Sequence, residues 1–153
     1  LYARLATTED ETTAQLLQQI IERVWLSSGS DTVNVLMERS ATAMNDKKLD
    51  LAEDLLDFVT ELAPDYAEGF GRRAIVYMLK GDYGRSLGDL RRVLAMDPNH
   101  FRALDTFGQI MRETGRKKAA LAAYRKLLEV HPHYAGAKQA VEELSRDVDG
   151  QGI

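Results

Sequence analysis

Three groups of residues in this sequence have types and spacings that can do chemistry. The first is Gly69-x-Gly71-x-x-Ala74, inside "PDYAEGFGRRAIVYMLKGDY", which fits the G-x-G-x-x-G/A spacing of a dinucleotide-binding turn. In such a turn the small residues let backbone N–H groups approach a pyrophosphate at a helix N-terminus. The second is His131-Pro132-His133, with His100 further upstream, the one cluster with metal-ligand character. The third is the basic set Arg85, Arg91, Arg92, Arg116, Lys117 and Lys118, a chemistry that can meet phosphates. No Ser/His/Asp constellation stands out, and no cysteine exists to serve as nucleophile, disulfide partner or thiolate ligand. Each group takes its meaning from the element that carries it.

Proline marks those elements. The chain of 153 residues has three, Pro64, Pro98 and Pro132, spaced by 34 residues and then by 34 again. Each closes an apolar run of helical period, "FVTELAP", "RVLAMDP" and "KLLEVHP". Proline lacks the N–H that a helix interior needs, so each is a stop signal. The 34-residue frame aligns small residues at Ser40, Ala74 and Gly108, and again at Ala52, Ser86 and Ala120. It aligns large apolar ones at Leu36, Phe70 and Leu104, and at Leu56, Leu90 and Tyr124. Small residues are what two helices need to approach closely. Turns are expected at "NDKK", "KGDY" and "TGRK", with Gly81 and Gly115 taking the left-handed conformation that ends a helix. Each unit thus reads as helix–turn–helix.

This pattern resembles the tetratricopeptide repeat, whose signature runs W-x2-L-G-x2-Y, then A-x3-F, then P. The middle unit carries Phe70, Ala74, Tyr77, Ser86, Leu90 and Pro98, and the third Leu104, Phe107, Gly108, Met111, Ala120, Tyr124 and Pro132. The first unit matches less fully, through Leu36, Ser40, Ala43, Ala52, Leu56 and Pro64, and Arg39 and Arg73 stand where the signature has Leu. The resemblance implies an all-α, right-handed solenoid of three units, 31–64, 65–98 and 99–133. An N-terminal extension and helix would occupy 1–30, and a capping helix and tail 134–153. Thr8-x-x-Glu11 predicts a capping box opening a helix over about 9–26, with two apolar stripes, Leu16/Ile20/Val24 and Leu17/Ile21/Trp25. "SSGSD" follows as a break, a helix is expected from Tyr134 to about Asp147, and "GQGI" reads as a frayed tail.

The frame answers the first question. Gly69, Gly71 and Ala74 fall inside a helix with no strand before it, so they read as packing residues and no nucleotide cofactor is expected. The histidines fall in inter-repeat turns without a third convergent ligand, so no metal is expected. The basic set lacks interleaved aromatics in a chain of net charge −4, which disfavours nucleic acid. The charge is segregated nonetheless, −8 over 1–67, +5 over 68–118 and −1 over 119–153. No apolar run is long enough to span a membrane. A first residue other than Met reads as processing or trimming, and the compartment as cytoplasm or bacterial periplasm.

The functional surface is implied by the resemblance alone. In this family the first helix of each unit lines a concave groove. Carried over, the pattern gives Asn34, Met37, Ala41 and Met44, then Glu68, Arg72, Ile75 and Met78, then Arg102, Asp105, Gln109 and Arg112. Two readings of the methionines stand side by side: an adaptable peptide-binding lining, or gap-filling against the N-terminal helix. One subclass of the family grips a C-terminal carboxylate with a basic clamp. Its cationic and amide positions correspond here to Met37, Ala41, Arg72, Arg102 and Thr106, and only one cation agrees in kind, so the clamp is not expected. The expected function is non-catalytic binding of a peptide or protein segment. The second reading is a self-associating module, a homodimer, formed through the N-terminal helix. That helix is expected to fold back on the first unit and part of the groove, over Met37 and Met78.

Overall fold

A computed structural model describes residues 1–150, and the last three residues of the expected tail lie outside it. Among the described residues all regular structure is helical. The order is α1 (Tyr2–Thr7), α2 (Glu11–Leu26), α3 (Asp31–Asn45), α4 (Leu49–Leu62), α5 (Ala67–Leu79), α6 (Tyr83–Met96), α7 (Phe101–Glu113), α8 (Lys117–Val130) and α9 (Ala137–Gly150). The three expected helix pairs are α3/α4, α5/α6 and α7/α8.

The turn inside each pair repeats in detail. Lys47, Gly81 and Gly115, again 34 apart, have φ of 59°, 79° and 76°. Beyond each, the N–H of Lys48, Asp82 and Arg116 donates to the carbonyl of Ala43, Tyr77 and Met111, at 2.8 Å in every case. This ties off the helix C-terminus. Glycine takes the left-handed conformation freely at two of these turns, while Lys47 carries a side-chain penalty of about 1 kcal/mol or more.

The chain forms two compact units. One is Glu22–Pro98, holding α3 to α6 and the last turn of α2. Its core joins Val33, Met37, Ala43, Ala52, Leu56, Val59, Tyr66 and Val76. Gly69 is small because α4 is against it: a Cβ there would lie 2.7 Å from a Val59 methyl. Ser86 is fully buried and donates to the Ala74 carbonyl at 2.6 Å, so the small positions of the frame are where the paired helices touch. The same contacts explain Gly69, Gly71 and Ala74 as interior residues of α5.

Arg73, which departs from the repeat signature, is held on several sides. It donates through Nε and Nη2 to both oxygens of Asp89 at 2.8 and 2.9 Å, and through Nη1 to Asp57 and Thr60. Its guanidinium also lies over the rings of Phe70 and Tyr77. An apolar position of the family has become a satisfied ionic one.

The other unit holds Leu1–Ile21 and the described residues from Asn99 onward. Here α7 packs on α8, α9 covers α8 with Ala137, Ala140 and Leu144, and α1 rests on α8 through the buried Leu5. Gly108 leaves room for the Tyr124 ring, which a Cβ would approach to 2.8 Å.

The structure corrects several boundaries. The N-terminal extension holds a short helix, α1, ahead of α2. The cap of α2 is Asp10, whose Oδ2 accepts from the Thr13 N–H at 2.9 Å, while the Thr8 hydroxyl accepts from the Asp10 N–H at 3.4 Å. The last helix begins at Ala137, because Tyr134 is drawn into a turn and its ring meets Phe101 and His131. The histidines have structural work: His131 Nε2 lies 2.8 Å from Gln18 Oε1, and His133 Nε2 2.9 Å from the Thr8 carbonyl. Together they pin the N-terminal segment within this unit. The last turn of α2 belongs to the first pair's unit, where Tyr66 Oη donates to the Leu26 carbonyl at 2.9 Å.

Candidate functional site

The spacing of 3 and 4 along α3 and α5 sets Asn34, Met37 and Ala41 on one face and Glu68, Arg72, Ile75 and Met78 on another. The structure brings the first of these faces together with Arg72. A cleft of about 420 Å³ in the Glu22–Pro98 unit is lined by Asn34, Met37, Ala41 and Arg72, with Arg23 and Leu26 from the end of α2. Arg72 reaches from α5 to α3 and donates through Nη1 to the Met37 carbonyl at 3.4 Å. Glu68 sits 3.9 Å from the same guanidinium and steadies it from one turn earlier. Asn34 Oδ1 accepts from the hydroxyl and the N–H of Ser28, which fixes the link between α2 and α3 at the rim.

The methionines divide between the two readings. Met37 is a core side chain, 2% exposed, and Met44 packs on the same core. What Met37 offers the cleft is its backbone carbonyl. Met78 and Ile75 are half-buried on α5. Both Met37 and Ala41 stand where the carboxylate clamp needs Lys and Asn, so this wall carries neither that cation nor that amide. The remaining charge is a pair of arginines, Arg23 and Arg72, with Glu38 beside them. That set can pair an acidic side chain and bury an apolar neighbour.

Arg102, Gln109 and Arg112 lie on α7 in the other unit. Gln109 and Arg112 line a cleft of about 400 Å³ with Glu113 and Tyr124. Arg112 is paired with Glu143 of α9, and Asp105 accepts from Tyr134 Oη at 2.9 Å. Arg102 is exposed at the first turn of α7. Burial pushes the Tyr124 phenol up to about 12, with Asp105 adding to it.

Much of the basic set is spoken for by neighbours. Arg85 pairs with Glu53 and Asp82 and lies over Tyr77, Arg92 lies over Phe70, and Lys117 pairs with Asp147. Among the described residues no group of three His, Asp or Glu converges to hold a metal, and no helix is long and apolar enough to cross a membrane. Sequence reasoning missed Arg23, Leu26 and Ser28 as rim residues. Their only signal was position, just before a predicted turn.

No protein-family model matches the chain. A TPR repeat-containing protein of Rhizobium etli is 33% identical over 150 residues, spanning 98% of this chain and 74% of that protein. That relative is bacterial. Among solved structures, the first TPR of Spaghetti (RPAP3), bound to the HSP90 peptide SRMEEVD, superposes with a TM-score of 0.74 at 19% identity, over 78% of this chain and 95% of that one. The Sgt2 TPR domain of Aspergillus fumigatus superposes at 0.73 with 21% identity, over 80% and 83%. At these identities the likeness is one of fold.

Proposed function

The chain belongs to the tetratricopeptide repeat family, and from that premise we propose that it is a non-catalytic interaction module binding a peptide or protein segment. The observation that carries this is the cleft in which Arg72 spans from α5 to α3, beside Asn34 and Ala41. The site residues proposed are Asn34, Met37, Met44, Arg72, Ile75 and Met78 in one unit, and Arg102, Gln109 and Arg112 in the other. Within that set Arg72 supplies bidentate charge, and Met78, Ile75 and Ala41 supply apolar contact. The peptide-bound RPAP3 structure supports the reading through its fold. Without a cation at Met37 or an amide at Ala41, the cleft suits an internal segment with an acidic side chain next to an apolar one, in place of a chain terminus. Nucleic acid is disfavoured because Arg85, Arg92 and Lys117 have internal partners.

The test is selection of peptides from a random display library on the wild-type chain, followed by titration against Arg72→Glu and Arg102→Glu. Arg72→Glu is expected to weaken binding at least tenfold, or about 1.4 kcal/mol, with helicity unchanged. Arg102→Glu is expected to weaken it as well. Equal binding by both variants would move the site elsewhere.

A second reading, self-association through α2, has its own observation. The stripe Leu17/Ile21 is buried, while Leu16, Ile20 and Val24 are exposed along the same helix.

A further inference from the structure

The first helix pair has an open edge where its counterparts are covered. In the 34-residue frame Val35 corresponds to Gly69 and Ala103, and Thr42 to Val76 and Ile110. Gly69, Ala103, Val76 and Ile110 are all buried. The close approach of Val59 to Gly69 shows that the natural cover of this face is a helix, here α4. Val35 is 46% exposed, and Thr42 is exposed too. The second helix of the pair extends the same surface. Leu51, Leu55, Phe58 and Leu62 recur at i, i+4, i+7 and i+11 on α4, and Phe58 is 58% exposed. On α6 the first three of those positions are Arg85, Asp89 and Arg92, of which Arg85 and Arg92 are exposed and Asp89 is buried against Arg73. Between α3 and α4 runs a cleft of about 470 Å³, floored by Ala43, Leu51 and Leu55. Its rim is balanced, Glu38 and Asp46 against Arg39 and Lys48, so it does not select a charged ligand.

The occupant that fits is an amphipathic helix with an apolar ridge. This chain carries one. Leu16, Ile20 and Val24 form a ridge at i, i+4 and i+8 on α2, with Leu16 59% exposed, and Gln15, Gln19 and Arg23 beside it. Ridge and edge are both exposed. We infer that the α2 ridge of a second copy docks on the α3/α4 edge of the first, taking the place that α4 holds against α5 in the second pair. The inference rests on the self-association reading and names its surface. Each copy then offers both halves of the contact, which is heterologous. Burying Leu16, Ile20 and Val24 against Val35, Leu51 and Phe58 removes apolar surface from water on both copies.

Sedimentation velocity over a concentration series tests this with wild type, the ridge variant Ile20→Glu and the edge variant Phe58→Glu. All changes are at exposed positions; where a variant loses helicity, Ile20→Gln or Phe58→Gln replaces it. Wild type is expected to gain mass with concentration, and each variant alone to weaken that association at least tenfold. A mixture of the two variants is expected to form a one-to-one complex, since one intact ridge and one intact edge remain. A mixture that stays monomeric overturns the inference. Association lost in the ridge variant but kept in the edge variant overturns it too, leaving ridge-to-ridge pairing as the form of self-association. A wild type that stays monomeric throughout removes both the inference and the self-association reading.

Discussion

At the scale of residues, the guanidinium of Arg73 shows how one side chain can replace apolar packing with bonding. Its hydrogen bonds to Asp89, with Asp57 adding, raise its pKa further above an already high value and keep it charged. Asp89 is buried and Arg73 nearly so, so removing the carboxylate leaves a cation without its main partner. Asp89→Asn keeps the volume and is expected to lower unfolding free energy by about 3 kcal/mol in urea titration, the low end for a broken buried pair. A loss below about 0.5 kcal/mol, the range of ordinary surface changes, would mean that Thr60 and Asp57 suffice. The sequence marked Arg73 as an exception without explaining it. Its partners lie on α4 and α6, 13 and 16 residues away, and only the packed pairs join them. The histidine contacts were less legible still, at separations of 113 and 125 residues. Local pattern carries no record of such distances.

At the scale of elements, the helix pairs were legible because period and punctuation agree. Three prolines, three left-handed turns and two sets of small residues share one frame. The short α1 was not legible, since six residues give too little periodicity to read. The cap of α2 was misplaced because Thr8 and Asp10 both have capping chemistry, and the residue directly before the first turn prevailed. At the other end α9 has one buried face, Ala137, Ala140 and Leu144, set on α8. Deleting residues 137–153 uncovers that contact. Losing burial of one leucine and two alanines, about 3 kcal/mol in all, should lower the melting temperature by roughly 10 °C. Calorimetry of the truncated chain checks this. A truncated chain melting like the full one would refute the capping role.

At the scale of the whole molecule, stability should respond to alkali in a defined window. Burial pushes the Tyr66 phenol up to about 12, with Glu68 adding, and Tyr124 is held up to about 12 as well. In the unfolded chain both titrate near pH 10. The folded state therefore keeps protons that the unfolded state releases between these values. Stability from this source is complete below about pH 10 and falls as pH rises toward 12. Thermal melts across that range, with phenolate absorbance read in parallel, should show the loss, and Tyr66→Phe should blunt it. A flat profile to pH 12 would contradict the burial of these rings. The family fold was readable from 34-residue spacing, whereas the binding surface was readable only in outline. The first helices carry Asn34, Ala41 and Arg72 on faces that line one cleft, while burial makes Met37 core and the end of α2 joins the rim. The central claim is that a peptide binds on the α3 and α5 faces around Arg72. Amide chemical-shift mapping with a peptide selected on the wild-type chain tests it most directly. The account predicts the largest shifts at Asn34, Ala41, Arg72, Ile75 and Met78, and their loss in Arg72→Glu. Shifts confined to the outer faces of α4 and α6, or unchanged in Arg72→Glu, would contradict it.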